Sequence, residues 1–303
     1  SGSNNTFVGS QAGQGGTTSA PFSSGTNNVA VGYQALVGFT TAGECLAIGY
    51  QAGAAVTTGI RNVLVGPYSG DALTTGARNV AIGSNSLSAV TTADMNVAIG
   101  QSAMESAAAS VAFEGAIAIG KDTLTALNST DANGTIAIGH QAGLAITSGI
   151  GNVAIGYQAL DAEDDGDFNT AIGYQALTAQ TGTSGDVGNT AVGYKVGLAI
   201  TSGTANTAVG LYALYEGTTL SNNVALGDRA GFATTGNQNV FLGSSAGYYS
   251  YVSANSVMIG YQSGYYATGS YNTFVGHSAG KGGTTSAPYS SGQYNTAVGY
   301  QAL

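Results

Sequence analysis

The chain has 303 residues, of which 49 are glycine, 43% are apolar and only 7% are charged, with no tryptophan. Ordinary domains carry about a quarter charged residues and disordered polar segments are less apolar than this, so the composition describes an ordered chain of unusual make-up. Three prolines, Pro21, Pro67 and Pro288, are too few for collagen, and fifteen acids against six bases, a net charge of −9, offer no cationic surface to nucleic acid.

No apolar run approaches the roughly 20 residues that span a bilayer, so no membrane insertion is expected. No basic segment with an apolar h-region opens the chain, which starts at Ser1 and reads as a mature piece or as a window onto something longer. The single Cys45 excludes an internal disulfide framework.

Internal repetition dominates everything else. A nine-residue motif, NVAIGYQAL at Asn152 to Leu160 and NTAVGYQAL at Asn295 to Leu303, recurs seventeen times. Its fifth residue is always glycine: in chain order Gly9, Gly32, Gly49, Gly66, Gly83, Gly100, Gly120, Gly139, Gly156, Gly173, Gly193, Gly210, Gly227, Gly243, Gly260, Gly276 and Gly299. Nine of the sixteen intervals are 17 residues, none is shorter than 16, and the longest reach 23. Extra residues therefore enter only between motifs, as loops at the edge of a stacked rung.

Motif positions two to four are apolar or threonine, as in Val29-Ala30-Val31 and Val80-Ala81-Ile82. Successive strand side chains point to opposite faces, so a triplet without alternation predicts a strand covered on both sides. One face should line a solenoid interior, and the other needs its own covering segment or a neighbouring chain. The third position is small in most copies, and stays apolar where it enlarges to Phe7, Leu64, Phe241, Met258 or Phe274. A three-fold assembly would bury these residues on its axis. Glycine at position five suits a corner with φ > 0, and Gly32, Gly49, Gly83, Gly156, Gly173 and Gly299 are typical corners. Thirteen copies begin with asparagine, the exceptions being Cys45, Ala116, Thr135 and Ser256. Stacked in register, Asn28, Asn62, Asn79, Asn96, Asn152, Asn169, Asn189, Asn206 and Asn295 would form an amide ladder. Turns such as Thr57-Thr58-Gly59 follow the motif, giving two short strands and two turns per rung. The prediction is an all-β parallel β-solenoid of about 17 rungs, with residues 1–303 as a single repeat array. A single helical turn after each glycine is the competing local reading.

Residues Asn4 to Leu36 match Tyr271 to Leu303 at an offset of 267, including the insertion GGTTSAP at Gly15 to Pro21 and Gly282 to Pro288. This predicts either a unit of fifteen rungs, in a chain or filament continuing beyond Leu303, or a local duplication at two ends of one array.

The repeated Asn-Val-Ala-Ile-Gly with a small residue three positions on resembles the head repeats of YadA-like trimeric autotransporter adhesins. The fuller NTAVGYQAL form is similar to repeats of phage tail fibres. The resemblance implies a left-handed parallel β-roll that assembles as a homotrimer, located extracellularly, at a cell surface or on a virion. The longer period, and the lack of a recognisable heptad stalk or membrane anchor, depart from the adhesin pattern. The function expected is a structural fibre segment with a surface-attachment role. The alternative is a self-assembling extracellular filament with head-to-tail stacking, and the minor alternatives are an ice-binding solenoid and a polysaccharide-degrading β-helix enzyme.

Few residues invite chemistry. Asp161, Glu163, Asp165 and Asp167 surround Gly166 with the alternating oxygens of an EF-hand loop, which makes them candidate calcium ligands, but the twelfth position is Ile172 and not a bidentate glutamate. Without calcium they form a solvated acidic loop, and no other cofactor is expected. His140 and His277 stand where other copies carry Tyr33, Tyr50 and Tyr157, and read as outward ladder substitutes. Cys45 has no partner at metal spacing. No enzyme is expected. Tyr248, Tyr249 and Tyr251 are candidates for recognition of a cell-surface glycan or receptor, or for lateral packing. Recognition should reside in the insertions, with Phe22, the acidic loop and this tyrosine run.

Overall fold

The computed structural model describes residues 2–15, 23–107, 112–129, 133–181, 184–283 and 291–303. Phe22 and most of both GGTTSAP insertions lie outside the described residues. The chain falls into two compact units, 1–152 and 153–303. Both are parallel β-solenoids, and the described residues contain no helix.

The first unit holds β1 (Thr6–Val8), β2 (Val29–Val31), β3 (Leu46–Ile48), β4 (Val63–Val65), β5 (Val80–Ile82), β6 (Val97–Ile99), β7 (Ile117–Ile119) and β8 (Ile136–Ile138). Each pairs in parallel with the next, in the register of the sequence motif: Val63 faces Val80, Leu64 faces Ala81 and Val65 faces Ile82. The second unit holds β9 (Val153–Ile155), β11 (Thr170–Ile172), β13 (Thr190–Val192), β14 (Thr207–Val209), β15 (Val224–Leu226), β16 (Val240–Leu242), β17 (Val257–Ile259), β18 (Thr273–Val275) and β19 (Thr296–Val298), paired in the same manner. The two-residue strands β10 (Gly166–Asp167) and β12 (Gly185–Asp186) form a separate parallel pair in this unit.

Each ordinary rung thus has one three-residue strand where the sequence predicts two. Residues at motif positions seven and nine adopt left-handed φ, for example Gln34 at 56° and Leu36 at 49°, and this interrupts the extended chain. The segment beyond still bonds from rung to rung, Thr57 N–H donating to the Thr74 carbonyl at 2.9 Å, without forming a strand. Bonds such as Val37 N–H to Gln34 O at 3.2 Å make turns there, and these replace the helical turn of the competing reading.

The corner glycines account for the invariance of position five. Their φ values run from 125° at Gly260 to 141° at Gly49, Gly173 and Gly193, a region essentially closed to other residues. A Cβ on Gly193 would sit 2.6 Å from the carbonyl oxygen of Gly210 in the next rung, so rung spacing itself requires a bare α-carbon.

The core is filled from motif positions three, eight, nine and twelve. Ala81, Ser86, Leu87 and Val90 fill one rung, and all are fully buried. Volume is traded between positions three and nine. Every rung with a large third residue has glycine at nine: Phe7 with Gly13, Leu64 with Gly70, Phe241 with Gly247, Met258 with Gly264 and Phe274 with Gly280. A Cβ on Gly264 would strike the side chain of Met258. Rungs with alanine at three often carry leucine or methionine at nine, as at Leu87, Met104 and Leu160.

Candidate functional site

Three surfaces merit description: the outer strand face, the aromatic columns and the acidic loop. On the strands from β2 onward, the middle residue of each triplet is buried inside its own chain while positions two and four face outward; in the terminal strand β1 Phe7 is exposed. A three-fold axis therefore cannot claim the third-position residues, since the strand alternation turns them toward the chain's own core. The outer face is what remains for a neighbour. In the first unit its second position is aliphatic from β2 to β8 (Val29, Leu46, Val63, Val80, Val97, Ile117, Ile136), and its fourth is valine or isoleucine. Ile82 is 38% exposed. In the second unit β11, β13, β14, β18 and β19 place threonine at position two.

The corner beside this face carries stacked side chains. Tyr33 stacks on Tyr50 at 5.3 Å, Tyr157 on Tyr174 at 5.0 Å and Tyr174 on Tyr194 at 5.3 Å. His277 sits between Tyr261 and Tyr300 at 5.1 and 5.2 Å, the ladder place expected of it. His140 occupies the corresponding motif position beside β8 and also makes contact with a partner. Position seven adds an amide ladder that sequence reading missed: Gln34 Nε2 donates to Gln11 Oε1 at 2.6 Å and Gln51 Nε2 to Gln34 Oε1 at 2.7 Å. The recurring Gln after Tyr was the available signal.

At the opposite corner the asparagine ladder is buried. Asn79 donates its backbone N–H and its Nδ2 to Asn62 Oδ1, at 3.0 and 3.1 Å, and Nδ2 also reaches the Ala93 carbonyl at 2.7 Å. Asn96, Asn206 and Asn223 repeat the amide-to-amide bond, and Asn295 makes it to Asn272. Asn28 accepts from the Cys45 N–H, and Asn169 from the Asn189 N–H. Asn152 is buried at its ladder position and is hydrogen-bonded or otherwise engaged. Cys45 is buried, and burial pushes its thiol above the ordinary value, the opposite of an activated nucleophile.

Tyr248 and Tyr249 belong to two adjacent aromatic columns. Tyr248 is sandwiched by Phe232 at 4.7 Å and Tyr265 at 4.9 Å, with interplanar angles of 10° and 9°. Tyr249 stacks on Tyr266 at 5.6 Å. Tyr251 lies at the rim, 5.8 Å from Tyr249 and more exposed. Burial, reinforced by the neighbouring hydroxyls, pushes the Tyr265 phenol up to about 12. Threonine turns face the next rung: Thr57 and Thr74 hydroxyls donate to the Thr74 and Thr91 carbonyls at 3.1 and 2.9 Å. The first threonine of these Thr-Thr-Gly turns thus spends its hydroxyl within the chain, while the second, Thr58 or Thr75, is exposed.

In the acidic loop the structure brings together carboxylate oxygens of Glu163, Asp164 and Asp165, all within 4.8 Å of one another, while Asp161 and Asp167 fall outside that group. The EF-hand analogy fails structurally because Glu163 stands at motif position twelve, where other rungs place Leu73, Val90, Leu127 or Ile146 into the core. It is fully buried. Its Oε1 accepts the N–H groups of Asp164 at 3.0 Å and Gly166 at 2.8 Å, while Oε2 is buried with no hydrogen-bond partner. Burial raises its pKa above the ordinary carboxylate value, an effect the two N–H donors partly offset and Asp164 and Asp165 reinforce. Asp161 also has a buried, unpartnered oxygen, but Asp71 shows the same feature at the same place of its rung, so this is not peculiar to the loop.

No protein-family model matches the chain, and no curated protein matches it. No helix among the described residues is long and apolar enough to cross a membrane.

Proposed function

We propose that the protein is a structural fibre segment, of the extracellular or virion type to which its repeats are similar, and that it works by self-association and not by catalysis. The supporting observation is the outer strand face. Soluble single chains rarely leave large contiguous apolar patches uncovered, yet β2 to β8 present aliphatic residues at both outward positions of every rung. Flat, regularly spaced β-branched residues suit a second copy of the same surface, because the ridges of one ladder match the grooves of another. A homotrimer formed through positions two and four is the arrangement proposed. A head-to-tail filament is the second reading, favoured by the 267-residue near-repeat. Attachment to a glycan or receptor falls to the rim of the tyrosine columns, with Tyr251 the most accessible of the three candidates.

Mass measurement together with electron microscopy of purified protein separates these readings. Discrete trimers are expected, converted to folded monomers by Val80→Lys together with Val97→Lys. Long uniform fibres would replace the trimer by the filament. A chain that stays monomeric at high concentration would overturn self-association altogether.

A further inference from the structure

We propose that the loop between β9 and β11 is a divalent-cation site of the calcium class, held by the carboxylates of Glu163, Asp164 and Asp165. The proposal is independent of the fibre reading. Its first support is the unpartnered Glu163 Oε2. A wholly buried carboxylate oxygen without a donor is costly, and the carboxyl group lies against the loop, anchored to it through the N–H groups of Asp164 and Gly166. The next rung shows what a satisfied side chain looks like at this place. Gln180, also fully buried, donates from Nε2 to the Thr201 carbonyl and accepts from Asn189 Nδ2, both at 2.9 Å. An amide closes its hydrogen bonds here, whereas the acid leaves one oxygen open.

The second support is geometry. Calcium–oxygen bonds are about 2.3–2.6 Å long, so oxygens sharing one ion lie within about 5 Å of each other. The three carboxylates meet this limit, at 4.8 Å or less. Asp164 is exposed and Asp165 half-buried, so the group opens to solvent on one side and Glu163 closes it on the other. Water and loop carbonyls can complete the six to eight ligands that calcium takes, whereas magnesium demands a tighter octahedron.

The third support is charge. No lysine or arginine stands between Lys121 and Lys195, while Asp161, Glu163, Asp164, Asp165, Asp167 and Asp186 all fall within that interval. The β10–β12 pairing sets Asp167 in register with Asp186 on adjacent strands. Like charges directly opposite each other destabilise a ladder, so this stretch of the chain concentrates negative charge that favours a cation.

The test is calorimetric titration of the full chain with calcium chloride after chelator treatment, in about 0.15 M salt so that diffuse surface attraction is screened. One saturable ion per chain is expected, with a dissociation constant of about 10⁻⁴ to 10⁻³ M, as for weak extracellular loop sites. Glu163→Gln should weaken binding at least tenfold and abolish the calcium-dependent rise in Tm. Gln180 shows that the core accepts an amide at this position. Should that variant unfold, Asp164→Asn with Asp165→Asn changes only the rim and should give the same loss. Absence of saturable binding at about 10 mM calcium, or equal binding by the wild type and a folded variant, would overturn the site.

Discussion

The rungs of β5 and β17 fill equivalent space from opposite sides. In the first, Ala81 on the strand leaves room that Leu87 occupies from the turn at φ 52°. In the second, Met258 on the strand occupies that room and the turn residue is Gly264 at φ 60°. Leucine in left-handed backbone is a strained choice for an L-residue, so the first solution depends on burial to offset conformation, and the second avoids the strain. The contrast shows that the same space can be filled from the strand or from the turn, and where both positions are small, as at Ala47 and Gly53, the side chains of Leu36 and Leu64 in the neighbouring rungs reach into it. It also explains why a strand of three residues suffices, since half the core is supplied by turns.

The largest expected effects come from emptying either solution. Met258→Ala and Leu87→Ala should each cost about 2–5 kcal/mol in chemical denaturation. Gly264→Leu alone should overpack its rung, costing about 1–3 kcal/mol. Combined as Met258→Ala/Gly264→Leu, the pair recreates the β5 arrangement and should cost less than about 1.5 kcal/mol. A double-mutant cycle in which the two losses simply add would break the comparison. At the corner, Asn79→Ala should cost about 1–3 kcal/mol, because it leaves the Asn96 N–H without its acceptor and takes from Asn96 Nδ2 one of its two, the Phe113 carbonyl remaining. Tyr174→Ser removes two ring stacks from an exposed ladder and should cost about 0.5–1.5 kcal/mol.

The smallest effect is a slope with pH, measured in cation-free buffer. Because burial raises the Glu163 value above the ordinary 4.5, the folded chain retains a proton that the unfolded chain has released. The stability contributed by the neutral acid is complete below the unfolded value and is lost as pH rises through the folded one. Glu163→Gln should flatten the urea midpoint over that interval. A wild-type midpoint equally flat there would show that Glu163 does not titrate as its surroundings require.

Much of this architecture was legible because a single period governs it. Gly32, Gly83 and Gly299 announced the corner, Asn62 and Asn79 the buried ladder, and the Val-Ala-Ile triplets the strands. Three features were not legible, each for a physical reason. The second strand per rung was expected from the stretch between the glycine corner and the Thr-Thr-Gly turn, yet Gln34 and Leu36 within it adopt left-handed backbone, which residue identity alone rarely reveals. The inward direction of position three could not be chosen over positions two and four, since all three are apolar. Glu163 read as a solvent-facing acid because its neighbours in sequence are acidic, whereas counting twelve residues from Asn152 places it in the column of Leu127 and Ile146. Position in the repeat outranked local composition.

The register between rungs has a kinetic consequence. Backbone bonds such as Val63 to Asn79 and Gly66 to Ile48 join residues of adjoining rungs only, so closing any rung requires little more chain than the rung itself. The entropy of loop closure grows only slowly with loop length and is nearly constant here from one rung to the next. A ribosome delivering about 5–20 residues per second supplies one new rung every one to three seconds or so, far longer than the microseconds that short β-pairing needs. Each completed rung can therefore template its successor while the rest is still unsynthesised, and folding becomes vectorial growth from a nucleus, with a chain-length dependence nearer to that of a zipper than of a globule.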